Sequence, residues 1–205
     1  MDILYALDTS KGTSEKEIES LKTYLMKAVD DFTLSPDGVR IACVVIGNPD
    51  EDQSGLLDYK SGSSVERVKA FIQNIRRSPT ATAAKSNLQN ALRYADTKLG
   101  PMKRDDAEFV LVVISKESIP MASLRAGIAA MRYDRPDKIG FVKIGKSELS
   151  DSTIGYRELK VVEVDGFDGF GDVYHKLFKF LATKKGKIKY SKVSLTRTST
   201  TRTSP

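Results

Sequence analysis

A chain of 205 residues, 40% hydrophobic and 29% charged, suits one domain with some tail, and it is large enough to bury a core without staples. No apolar run reaches the roughly 18 residues of a membrane span, and neither a basic n-region nor a cleavage site marks a signal peptide. The net charge of +6 is concentrated late: Lys184, Lys185, Lys187, Lys189, Lys192, Arg197 and Arg202 are seven cations with no acid among them, which leaves −1 for residues 1–183, so the folded part is near neutral and nothing argues for a basic face on it.

The first strand is expected at Asp2–Leu7, running into the polar turn Asp8-Thr9-Ser10-Lys11-Gly12. In an open α/β sheet, ligands bind beyond the carboxyl ends of the strands, where this turn would lie. Ser14-Glu15-Lys16-Glu17 has the form of a capping box and opens a helix whose stripe is Ile18, Leu21, Leu25, Val29 and Phe32. The turn Ser35-Pro36-Asp37-Gly38 leads to a second strand, Val39–Ile46, apolar and β-branched as in strands covered on both faces. Its Cys43, the single cysteine, excludes an internal disulfide and reads as a small buried apolar residue. The lack of disulfides leans mildly towards a reducing compartment.

After an acidic loop from Asn48 to Gly55, Leu56–Tyr59 suits a short edge strand. Ser63-Ser64-Val65-Glu66 reads as a second capping box, for a helix carrying Val65, Val68, Phe71, Ile72 and Ile75. Ser86-Asn87-Leu88-Gln89 opens a third, with Leu88, Ala91, Leu92, Ala95 and Leu99 as its stripe and Gly100-Pro101 as its stop. Phe109–Ile114 is the clearest buried strand. Ser118, with Pro120 in the first turn, is expected to start a helix carrying Leu124, Ile128 and Met131. Strands follow at Lys138–Ile144 and Glu158–Val164, then a helix from Asp172 with Val173, Leu177 and Leu181. Residues 184–205 have almost no apolar side chains and are expected to be a disordered tail or linker. The alternation predicts an α/β fold over residues 1–183: a doubly wound, mostly parallel central sheet with helices on both faces.

Three apparent motifs carry little. Gly140 to Ser147 fits the phosphate-loop pattern G-x-x-x-x-G-K-S, yet its variable residues are themselves a strand, where the motif needs a loop curling around phosphate. His175, the one histidine, reads as a solvated helix position and offers no triad. Asp165 to Asp172 lacks the ligand spacing of a calcium loop. No catalytic constellation emerges.

Six pieces in this order resemble the von Willebrand factor type A domain family, over about Met1 to Thr183. Asp2 to Ser10 is similar to its opening strand and D-x-S-x-S turn, and Gly38 to Val45 to the region that follows. Ser86 to Ala95 resembles its T-x-x-G-x-A-L segment; Phe109 to Ile114 followed by Ser115-Lys116-Glu117 stands where the family has an apolar strand and T-D-G. Ile139–Gly145 and Val164-Asp165-Gly166-Phe167 complete the set.

The resemblance implies a ligand-binding top of the sheet, made here by Asp8, Ser10, Gly12, Ser86, Lys116 and Glu117, where the family holds a divalent cation that a partner's carboxylate completes. Of the metal set, Asp8, Ser10 and Ser86 keep an oxygen; Gly12 loses one, and Lys116 replaces a carboxylate. Magnesium prefers hard oxygen ligands with one or two carboxylates. An ammonium repels a dication by about 1 kcal/mol at 4 Å per unit-charge product even in water. The expectation is a degenerate adhesion site in which Lys116 pairs with Asp8 and bonds the hydroxyls of Ser10 or Ser86, with no cofactor. The alternative turns Glu117 inward and leaves room for weak magnesium or manganese. The implied function is a non-enzymatic protein-binding module of a secreted matrix or adhesion protein, its partner collagen-like, another matrix protein or a mineral-associated polymer, with residues 184–205 adding contact with polyanions such as sulfated glycans. The competing reading is an intracellular scaffold of the same family whose basic tail meets RNA or DNA.

Overall fold

The computed structural model describes residues 1–10, 12–46, 55–77, 84–116, 118–132, 135–145, 149, 151–154, 157–164, 177 and 180, with backbone alone at 84–86 and 153. Seven strands form one sheet: β1 (Asp2–Asp8), β2 (Arg40–Ile46), β3 (Leu56–Leu57), β4 (Phe109–Ser115), β5 (Lys138–Ile144), β6 (Ser152–Ile154) and β7 (Arg157–Val164), in the spatial order β3-β2-β1-β4-β5-β7-β6. The five inner strands are parallel, and β3 and β6 close the two edges antiparallel. Parallel strands need crossovers, and α1 (Glu15–Asp30), α2 (Val65–Asn74), α3 (Ala84–Leu99) and α4 (Met121–Ala129) lie in them. The doubly wound expectation is met.

The strands read as unbroken apolar runs because both faces are covered. Along β1, Ile3, Tyr5 and Leu7 enter one core cluster with α1 and α2, while Leu4 and Ala6 enter the other with α3 and α4. In β4 the same alternation sends Val110, Val112 and Ile114 one way and Phe109, Leu111 and Val113 the other. Cys43 lies in the first cluster, and burial pushes its thiol pKa well up, as suits an apolar role. Two glycines make room for close packing. A Cβ on Gly62 would stand 1.6 Å from the Ile41 carbonyl oxygen, and one on Gly140 would stand 2.6 Å from Leu177 Cδ1.

Several boundaries shift. Ser14 and Glu17 form the expected capping box, but Phe32 is buried just beyond the end of α1. The cap of α2 is Ser64, one residue after the expected Ser63; its hydroxyl accepts from Arg67 N–H. Helix α3 starts at Ala84, so Ser86 lies inside its first turn: Ala84 and Lys85 favour helix and extend it upstream. Helix α4 starts at Met121 with Pro120 as an extended N-cap. A residue before proline is steered away from helical angles; Ile119 is buried in the core instead, so the helix cannot begin at Ser118. Strand β6 was not expected. It is only three residues long, and Asp151 secures it by accepting from Val161 N–H at 2.8 Å and pairing with Lys160. The variable residues of the apparent phosphate loop belong to β5. Leu177 and Phe180 are helical and buried, in line with a final helix; His175, the 165–172 stretch and residues 184–205 fall outside the described residues.

The amino end of β1 carries a fully buried carboxylate, Asp2. Arg40 donates to it through Nε at 2.9 Å and through a second guanidinium nitrogen, and Arg104 donates its guanidinium at 2.8 Å and its backbone N–H at 3.2 Å. Arg104 also reaches the carbonyls of Gly38 at 2.7 Å and Pro36 at 2.9 Å. Burial pushes the Asp2 pKa up, but the bonds from Arg40 and Arg104 outweigh it and hold the carboxyl below its usual range.

Candidate functional site

The site forms at the carboxyl ends of β1, β4 and β5, the top of the sheet. Asp8 ends β1 with only 4% exposure. Its Oδ1 accepts from Ser10 N–H at 3.0 Å, a local turn of the kind aspartate favours. Its Oδ2 accepts from the Ser115 hydroxyl at 2.8 Å, because the β1–β4 register sets Leu7 beside Ile114 and so brings the two strand ends together. Thr13 N–H donates to the Ser10 carbonyl at 2.9 Å and closes the turn, and Ser14 then caps α1. The hydroxyls of Thr9, Ser10 and Thr13 are buried and have no hydrogen-bond partner among the described residues.

Lys116 stands elsewhere than expected. Its ammonium lies 2.9 Å from Glu17 Oε1 and 3.1 Å from Oε2, and it donates to the Gly12 carbonyl at 3.1 Å. The expected pairing with Asp8 and hydrogen bond to Ser10 are therefore corrected: the cation sits at the rim on the helix cap. The physical reason is solvation. Both oxygens of Asp8 are engaged inside, where an ammonium would lose its water. At the rim, Lys116 keeps 42% of its side chain exposed, and Glu17 keeps 23%. Glu17 Oε2 also accepts from Ser14 N–H at 2.7 Å and the Ser14 hydroxyl at 2.8 Å. Burial, the largest single influence, pushes its pKa up, but the bonds from Ser14 and the Lys116 ammonium together outweigh it, so the carboxyl ends below its usual range.

Four contributors were missed: Ser115, Thr13, Glu17 and Lys143. Ser115 was visible as the hydroxyl that follows an apolar strand. Lys143 lies opposite Ser115 in the β4–β5 register, is 6% exposed, and donates to the Lys116 carbonyl at 2.5 Å and the Ile144 carbonyl at 2.8 Å. The structure thus gathers Asp8, Ser10, Gly12 and Lys116 about one turn; Glu117 and the Ser86 side chain lie outside the described residues.

A divalent cation would find part of a donor set. Asp8 is oriented by its two hydrogen bonds and the Ser10 hydroxyl is free to coordinate. Among the described residues, however, no three His, Cys, Asp or Glu are grouped to hold a metal. Gly12 contributes no side-chain oxygen, and the Lys116 ammonium beside it brings a positive charge. The residues present do not fit the full set.

The comparisons agree with this architecture. Human collagen alpha-5(VI) chain is 22% identical over 196 residues, which is 90% of this chain and 7% of the collagen chain. Proximal thread matrix protein 1 from the mussel byssus superimposes with a TM-score of 0.68 at 18% identity, over 87% of this chain and 45% of that one. A second structure of that protein, with a zinc-occupied MIDAS motif, gives 0.65. The pilus adhesin SpaC of Lactobacillus rhamnosus GG gives 0.59 at 9% identity, over 88% of this chain and 30% of that one. This chain therefore spans less than half of each of these proteins, and the structural likenesses speak for the fold. The model of the von Willebrand factor type A domain matches residues 2–157, and the chain belongs to that family.

Proposed function

We propose that this domain is a non-enzymatic protein-binding module of an extracellular matrix or adhesion protein, and that its top works without a resident divalent cation. The observation that carries the reading is the arrangement around Asp8: one buried carboxylate clasped by Ser10 and Ser115, with a lysine at the rim where the family has a second carboxylate. The hydroxyl–carboxylate pair at the strand ends, Ser115 with Asp8, is buried and out of a substrate's reach, which favours binding over catalysis. The likeness to a collagen chain and to a byssus matrix protein supports the matrix setting and a collagen-like or other matrix partner. Among the described residues no helix is long and apolar enough to cross a membrane. In this reading the seven cations after residue 183 add a salt-sensitive contact with polyanions.

Binding of the whole chain to immobilised triple-helical collagen and to a matrix extract, in magnesium and in EDTA, tests this. The expected result is retention in EDTA within about twofold, a free-energy change under about half a kcal/mol. Calorimetry with magnesium and manganese should be silent for the wild type and should show uptake by Lys116→Asp, which restores a carboxylate. Uptake by the wild type, or binding that EDTA abolishes, overturns metal independence. Absence of binding to every matrix component overturns the module reading itself. Deleting residues 184–205 should remove only the salt-sensitive part.

A further inference from the structure

The mismatch between this top and a metal has its own chemistry. Lys116 already holds an acidic side chain: both oxygens of Glu17 sit on its ammonium, at 2.9 and 3.1 Å, at the solvent-exposed rim. We propose that Lys116 is the docking cation for a carboxylate presented by the partner protein, and that Glu17 is an internal stand-in which that carboxylate displaces. This rests on the protein-binding reading above.

Four features support the exchange. An ion pair exposed to this degree is weak, so it yields to a competitor that brings further contacts. Glu17 does not lose its other bonds on release, because Ser14 N–H and the Ser14 hydroxyl continue to hold it and the α1 cap stays closed. The lysine is presented from a fixed backbone: it follows directly on β4, and the buried Lys143 ammonium grips its carbonyl at 2.5 Å. Asp8 does not compete, since its two oxygens are taken by Ser10 and Ser115.

Amide NMR titration of the whole chain tests the proposal. One probe is a collagen-like triple-helical peptide bearing one glutamate per strand, and the other is its glutamine twin. The glutamate peptide should move the signals of residues 8–17 and 115–118 and bind at least about tenfold tighter than the twin. Glu17→Gln keeps a capping side chain at that position and should tighten binding by about three- to fivefold, the span of one exposed ion pair. Lys116→Gln should erase the discrimination between the peptides, and Lys116→Arg should keep it. Equal binding of the two peptides, no shifts with either in wild type and Glu17→Gln, or unchanged discrimination in Lys116→Gln each overturns the inference. Binding to matrix components in the earlier assay would in those cases leave the module reading standing, so the two failures are distinguishable.

Discussion

The two ends of β1 carry the same residue type in opposite conditions. At the amino end, Asp2 is met by two guanidiniums and a backbone N–H, and Arg104 ties the lattice on to the carbonyls of Gly38 and Pro36. At the carboxyl end, Asp8 is held by two neutral donors among three buried hydroxyls that bond to nothing described, while the nearby ammonium turns to Glu17. A buried polar group without a partner costs about 1–3 kcal/mol relative to a bonded one. The amino end is therefore organised for stability, and the carboxyl end tolerates a cost that accords with the binding role proposed for it.

The contrast is sharpest in stability measurements. Asp2→Asn should cost about 3 kcal/mol in urea unfolding, towards the low end for breaking a buried pair because both guanidiniums touch water. The same carboxylate shapes the acid limb. Its folded pKa lies below the unfolded value, so its contribution is complete above the ordinary aspartate range near pH 4 and is lost as pH falls through the lower folded value. Wild-type stability should thus fall steeply below about pH 4, and Asp2→Asn should flatten that limb. Asp8→Ala comes next, at about 2 kcal/mol, since Ser10 N–H and the Ser115 hydroxyl lose their acceptor. Lys116→Ala should cost under about 0.5 kcal/mol, and the difference should vanish in high salt. Ser10→Ala is the smallest effect, zero or a gain of a few tenths of a kcal/mol, because the hydroxyl it removes makes no bond. A Ser10→Ala variant as damaged as Asp2→Asn would erase the distinction between the two ends.

Much of the fold was legible because its inner strands are buried on both faces and spell themselves as apolar runs; β4 and β5 match their expected ranges to within a residue. Strand β6 was not legible, since three residues carry no periodicity and its anchor is a side chain, Asp151, reaching across the hairpin. The site divides in the same way. Asp8 and Ser10 were readable because a strand running into a polar turn fixes them locally. The partner of Lys116 was not, because a long flexible side chain chooses between carboxylates according to where α1 enters, and the capping box brings Glu17 back over the turn. Lys143 was passed over inside an apolar strand, as buried lysines are rare enough to be read as strand ends.

The central place of β1 has a consequence for how the chain is made. Its partner β2 begins at Arg40, but its other partner, β4, begins only at Phe109. During synthesis one side of β1 is therefore an open, apolar strand edge until β4, about a hundred residues behind it, has emerged, and such edges invite pairing with other chains. Arg104, which closes over Asp2, arrives just ahead of β4. The charge lattice and the second ladder of β1 thus draw on segments that are neighbours in the chain. Until these emerge the molecule is a half-sheet, slow to complete because its decisive contacts are distant in sequence.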